Sequence, residues 1–159
     1  MTQVYIFLKG ERGLKVAVRY QSRGGNTKAV AEQIAQQLGV TALSIEHPVE
    51  EKVDILFLGG GVYMWDMDKS LKNYIENLEN EKIGQIVVFS TTGAMDVTLK
   101  RIREYGRKKG IPVNDNQLLL VMLLKGHSAL GLTGGKLSDK QKKQIEEFVD
   151  KVVENAAVG

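Results

Sequence analysis

Six consecutive residues, Ser22-Arg23-Gly24-Gly25-Asn26-Thr27, have the make-up of an anion seat. Two hydroxyls, a carboxamide and a guanidinium stand there with no carboxylate among them. The glycines let the chain bend so that its N–H groups converge. A phosphomonoester would accept from all of these donors. A turn made only of turn-forming residues has the same composition, so the flanking segments must decide. Arg23 either adds its charge to the grip or points to solvent. The two standard nucleotide fingerprints are missing. No G-x-G-x-x-G follows the strand before the turn, no G-x-x-x-x-G-K-[ST] occurs, and 131–136 (GLTGGK) is one residue too short and reads as a loop.

Two further stretches could act with the first. Segment 59–66 (GGGVYMWD) joins three glycines to Tyr63 and to the only tryptophan, Trp65. Glycines allow close backbone approach, and aromatic rings at a strand end either stack on a flat ligand or cap the core. Segment 90–94 (STTGA) is small and hydroxyl-rich, suited to meeting the polar edge of a heterocycle through its backbone.

These stretches need a scaffold that brings them together. Segment 14–20 (LKVAVRY) is a β-branched and aromatic run of strand length, and Val30, Ala31, Ile34, Ala35 and Leu38 form one helical stripe after the turn. A helix start so placed directs unpaired amides and the positive end of its dipole at the turn. Segment 53–58 reads as a strand covered on both faces, 85–89 as another buried strand, 118–124 as the last strong strand, and 40–45 as a short strand broken by His47-Pro48. Helices are expected from Asp68, a cap for the stripe Leu71, Tyr74, Ile75 and Leu78; up to about Lys109, closed by Gly110 and Pro112; and from the capping box 138–141. The last helix carries Ile145, Phe148, Val149 and Val152 on one side. Between Ile45 and Val53 there is room for barely one turn, so the second crossover is shortened.

About five strands alternating with four helices predict an α/β fold, a doubly wound open parallel five-stranded sheet. Ligands of such sheets sit at the carboxyl ends of the strands, where 21–27, 59–66 and 90–94 would gather. Residues 1–13 stand apart as an N-terminal extension or an extra strand, and residues 14–155 form the domain.

Composition narrows the chemistry. With 159 residues and 43% hydrophobic content, one core of substantial size is expected. The chain has no cysteine, which excludes thiolate catalysis, iron–sulfur clusters and disulfides, and two histidines without an acidic cluster argue against a metal site. No apolar run approaches the roughly 18 residues of a membrane span, so a cytoplasmic protein without membrane contact is expected. The net charge of +3 is local: Lys100, Arg101, Arg103, Arg107, Lys108 and Lys109 face only Glu104 within 100–109. Only Tyr105 interleaves them, so nucleic acid is not favoured.

The order Tyr20, then Ser22-x-x-Gly25-Asn26-Thr27, then Ala31 and Ile34, followed by VDILFLGGGVY and VVFSTTG, resembles the flavodoxin family, and most of all its small, short-chain members. The resemblance spans roughly residues 14–153. It implies a flavodoxin-like FMN-binding domain, with the phosphate on Ser22, Arg23, Gly24, Gly25, Asn26 and Thr27. Gly60, Gly61 and Val62 would line the ring, Tyr63 and Trp65 would flank it, and Thr91, Thr92 and Gly93 would meet its pyrimidine side. A Gly60 or Gly61 peptide would reorient so that its carbonyl accepts a hydrogen bond from the reduced flavin. Two departures stand out: 90–94 has no aromatic residue where flavodoxins commonly carry one, and a basic helix follows in a family that is typically acidic.

Three functions follow. The first is an electron shuttle passing electrons to or from a redox partner protein, whose acidic surface docks on the basic helix 100–109. The second is a self-sufficient NAD(P)H-dependent FMN reductase acting on a quinone or other small acceptor. The third is a non-enzymatic module that binds polyanions through 100–109. A phospho-receiver domain is excluded, because Gln21, Ser22 and Gly59 stand where it needs acidic residues. No catalytic side chain and no metal ligand is assigned.

Overall fold

A computed structural model gives the fold and describes residues 5–6, 13–63, 66–92, 96–122 and 136–158. Five strands run parallel, as expected: β2 (Leu14–Tyr20), β3 (Ala42–Ser44), β4 (Val53–Tyr63), β6 (Ile83–Thr92) and β7 (Val113–Val121). Their order across the sheet is β3-β2-β4-β6-β7. Two short antiparallel strands are added. One is β1 (Tyr5–Ile6), which pairs with Leu14 and Lys15. The other is β5 (Asp66–Met67), which folds back on the end of β4. Because β4 occupies one side of β2, β1 and β3 share the other. β3 covers Val18 to Tyr20, and β1 covers the part of that edge that so short a β3 leaves open.

The alternation of side chains along the strands divides the interior into two layers. Val16, Val18, Phe57, Val87 and Phe89 face α1 (Asn26–Leu38) and α4 (Asp139–Val158). Ala17, Leu56, Leu58, Ile86 and Val88 face α2 (Lys69–Glu76) and α3 (Val97–Lys109). The expected stripe of α4 lies inside, with Phe148 edge-on to Phe57 at 6.3 Å between ring centres. Each large side chain so buried contributes roughly 1.5–3 kcal/mol.

The local signals for the helix ends are realised. Asp68 caps α2, its Oδ1 accepting from the Ser70 amide at 2.8 Å. Ser138 and Gln141 exchange the two bonds of a capping box at 2.9 and 3.1 Å. Gly110, at φ +83°, closes α3. The shortened second crossover, 45–52, is held without a helix. Arg19 is buried beneath it, and its Nε and Nη2 donate to the carbonyls of His47 and Pro48 at 2.9 and 3.1 Å. Burial lowers the pKa of that guanidinium, with Tyr74 and Glu50 opposing the effect.

Four boundaries differ from expectation. β4 does not end at the glycines but continues through them to Tyr63. Gly59, Gly60 and Gly61 pair in register with Phe89, Ser90 and Thr91, so a strand partner overrides the local preference for a turn. β6 likewise runs on to Thr92. β7 starts at Val113 rather than 118, because the polar run Asn114 to Gln117 serves a half-exposed stretch; Leu123 and Leu124, expected in it, lie outside the described residues. β3 is trimmed to Ala42–Ser44. The loop expected at 131–136 lies outside the described residues except for Lys136.

Candidate functional site

The carboxyl ends of β2, β4 and β6, three neighbouring parallel strands, lie side by side at one edge of the sheet. Gly25, at φ +92°, is the N-cap of α1, a left-handed conformation that a side chain would strain. No side chain caps this helix and its first turn holds no acidic residue, which leaves the dipole's positive end uncompensated. Ser22 Oγ accepts from the Gly25 amide at 3.1 Å. A hydroxyl used as an acceptor keeps its proton to donate. Thr27, almost fully buried, lies 2.7 Å through its hydroxyl from that of Thr91. One proton serves the bond and the other remains for an outside acceptor. The first and third stretches are thus joined directly. Ser22, Gly24, Gly25, Asn26 and Thr27 stand together at the helix start and can hold a phosphate.

Arg23 is engaged by a carboxylate that the sequence did not point to. Its Nε and Nη2 both donate to Asp68 Oδ2, at 3.0 and 2.5 Å, while the side chain stays 60% exposed. Asp68 is buried, and its Oδ1 serves Ser70 while Oδ2 also accepts from Gln21 Nε2 at 3.3 Å. Desolvation pushes this carboxyl up, yet the Ser70 hydroxyl and amide and the Arg23 guanidinium outweigh it, and its pKa lies below the ordinary value. Gln21 Oε1 is buried without a hydrogen-bond partner among the described residues.

The second stretch is less free than expected. Gly60 O accepts from Ser90 Oγ at 2.7 Å and Gly61 O from Thr98 Oγ1 at 2.9 Å, both bonds buried. Both peptides also lie in the ladder to β6, so a carbonyl turning toward a reduced flavin would give up its hydroxyl donor. The glycines are needed for close approach: a Cβ on Gly59 would overlap the Phe89 ring, and one on Gly60 would lie 2.7 Å from Leu71 Cδ2. The backbones of Val62, Tyr63 and Thr92 are strand. Their side chains, with the whole of Trp65 and Gly93, lie outside the described residues.

Sequence reasoning missed three contributors. Asp68 was read only as a cap, although a carboxylate directly after the second stretch belongs to the same sheet edge. Thr98, a hydroxyl in the first turn of α3, carried no local signal, and Gln21 was noted only for not being acidic.

The basic segment is also not an open array. Lys100 pairs with Asp96 at 3.1 Å, Arg101 with Asp66 and Glu104 at 3.2 Å each, and Lys108 with Glu104 at 3.1 Å. Arg103 donates to Asn114 O at 2.8 Å, and Lys109 to Glu76 O at 2.9 Å. Arg107 has no such partner among the described residues. No described helix is long and apolar enough to cross a membrane.

Comparison with known proteins agrees with this geometry. A family model described as a flavodoxin domain matches residues 17–147. A flavodoxin-like domain-containing protein, BilS of Clostridioides difficile (strain CD3), is 29% identical over 126 residues, which cover 75% of this chain and 70% of that protein. Among solved structures, an archaeal flavodoxin superposes with a TM-score of 0.63 at 20% identity, covering 88% of this chain and 96% of its own. The apo form of an NADH:FMN oxidoreductase superposes with a TM-score of 0.57 at 13% identity, covering 86% and 87%. At these identities the superpositions speak for the fold, and the family match speaks for descent. With strand order, turn and helix start in agreement, the chain belongs to the flavodoxin domain family.

Proposed function

We propose that this chain is an FMN-dependent electron-transfer protein of the cytoplasm, passing electrons to or from a redox partner. The observation that carries the reading is the turn 22–27. It opens a 13-residue helix with no acidic residue in its first turn and no side-chain cap, and it is tied through Thr27 to Thr91 at the next strand ends. The residues fit FMN: neutral donors converge where a phosphate needs them, and Gln21 Oε1 is a buried acceptor for which a ribityl hydroxyl is a suitable donor. When bound, FMN supplies the one- and two-electron chemistry.

The chain's own residues bind and orient. Ser22, Thr27 and the first amides of α1 hold the phosphate. Ser90 and Thr98 donate to the Gly60 and Gly61 carbonyls near the end of β4. In this reading Tyr63 and Trp65 flank the isoalloxazine, and Thr91, Thr92 and Gly93 meet its pyrimidine edge. Of the basic segment, Lys100 and Arg101 lie at the same edge, paired with Asp96 and Asp66. An acidic surface on the partner would take the place of those two carboxylates.

Titration of the apoprotein with FMN and with riboflavin, followed by quenching of flavin fluorescence, tests the reading. FMN should bind the more tightly, and Thr27→Ala should weaken FMN by about 1.5–3 kcal/mol, the scale of a hydrogen bond to a charged group, while leaving riboflavin almost unchanged. Equal loss for both ligands would move the phosphate elsewhere, and no binding of either would end the reading.

A self-sufficient reductase is the second reading, supported by the fold shared with the NADH:FMN oxidoreductase. Anaerobic NADH separates the two. A reductase bleaches its own flavin, and a shuttle waits for a partner.

A further inference from the structure

Arg23 is the one cation inside the turn 22–27, and an arginine among phosphate donors is ordinarily read as a phosphate ligand. Here its guanidinium is turned to a carboxylate. Both Nε and Nη2 converge on a single oxygen, Asp68 Oδ2. The other oxygen, Oδ1, is committed to the Ser70 amide and hydroxyl at the start of α2. Asp68 is 7% exposed and follows β5 directly, so it is fixed by the chain on one side and by the helix cap on the other. A buried, ionised carboxylate therefore stands against the turn, and Arg23 covers it.

We propose that Arg23 serves the anion seat by masking the charge of Asp68, and not by contacting the phosphate. The inference rests on the FMN reading above. An uncovered carboxylate beside the seat would repel a phosphate through a medium that screens less than water. Gln21 Nε2, at 3.3 Å from the same oxygen, is neutral and cannot cancel that charge. The guanidinium can, and because it does not titrate it does so at every physiological pH. The phosphate is then left to neutral donors: the Ser22 and Thr27 hydroxyls and the amides that open α1. Arg23 is thus a positioning residue acting through Asp68.

A double-mutant cycle on FMN and riboflavin affinity distinguishes masking from contact. The variants are Arg23→Gln, Asp68→Asn and the pair, with Arg23→Lys as the conservative control. Asparagine is as good an N-cap as aspartate and keeps the oxygen that Ser70 uses, so Asp68→Asn should fold; far-UV circular dichroism checks this. Masking predicts that Arg23→Gln weakens FMN about tenfold, the order of one uncovered charge near the surface of a protein, without weakening riboflavin. The double variant should return to within about threefold of the parent, because no carboxylate is left to cover. Arg23→Lys should also stay within about threefold, since its charge remains beside Asp68.

A double variant as weak for FMN as Arg23→Gln alone would make Arg23 a phosphate contact and overturn the proposal. So would an Arg23→Gln protein with unchanged FMN affinity, or one that loses FMN and riboflavin alike. A parent protein that binds no FMN is a separate result, which removes the FMN reading and this proposal with it.

Discussion

Asp68 joins three pieces of chain through two oxygens: the start of α2 through Ser70, the end of β2 through Gln21, and the turn 22–27 through Arg23. Its pKa is held below the ordinary value, since Ser70 and Arg23 outweigh desolvation. The sign of the linkage follows. A carboxylate depressed in the folded state stabilises fully above the unfolded value, about 3.9, and that stability is lost as pH falls through the folded value. Urea unfolding of the parent should therefore weaken more steeply from pH 5 to pH 3 than that of Asp68→Asn. At pH 7 the variant should be less stable by about 1.5–3 kcal/mol, the net worth of one hydrogen bond to a charged group, and the curves should converge in acid. Parallel curves would mean that Asp68 titrates alike in both states. The donors of the turn were legible because they are contiguous, whereas the direction of Arg23 was not. Its partner lies 45 residues away, and nothing local announces a contact set by tertiary packing.

The same division between local and distant information holds for the elements. β2, α1, the cap of α2 and the capping box of α4 were all readable, because periodicity and caps are written within a few residues. The strand expected over 53–58 runs on through Gly59, Gly60 and Gly61, although glycine signals a break locally. What makes it strand is a partner, β6, in register beside it. The glycines are retained by packing: a Cβ on Gly59 would enter the Phe89 ring. Gly59→Ala should therefore destabilise by about 1–3 kcal/mol, the usual cost of overpacking, measured by urea or thermal unfolding. Adding Phe89→Leu should recover part of the loss, because the clash lies between these two residues. A Gly59→Ala protein as stable as its parent would mean that the strand can move apart there at little cost.

Across the whole molecule, the direction of the helices determines what the net charge of +3 can do. α3 leaves the carboxyl edge after β6 and returns to the opposite edge before β7, about 20 Å away for 13 residues. Lys100 and Arg101 stand at the end near the candidate site. Arg107 to Lys109 stand at the far end, where Lys109 reaches Glu76 O and Asn80 reaches Lys109 O. At the near end each cation has its acid, Asp96 or Asp66, so the local sum is small and the basic segment does not present its full charge there. An anionic oxidant reads this directly. Ferricyanide should oxidise the reduced FMN-loaded protein at a rate that varies weakly with salt. In Lys100→Glu/Arg101→Glu four carboxylates would face the same edge, and at low ionic strength the rate should fall about three- to tenfold, the sensitivity expected of a steered encounter, and recover as salt screens it. Arg107→Glu makes a reversal of the same sign, yet it lies more than a Debye length from the edge at 0.1 M salt, about 10 Å, and should leave the rate nearly unchanged. Equal slowing by both variants would put the flavin midway along α3 rather than at the carboxyl edge, and would detach the turn 22–27 from electron transfer.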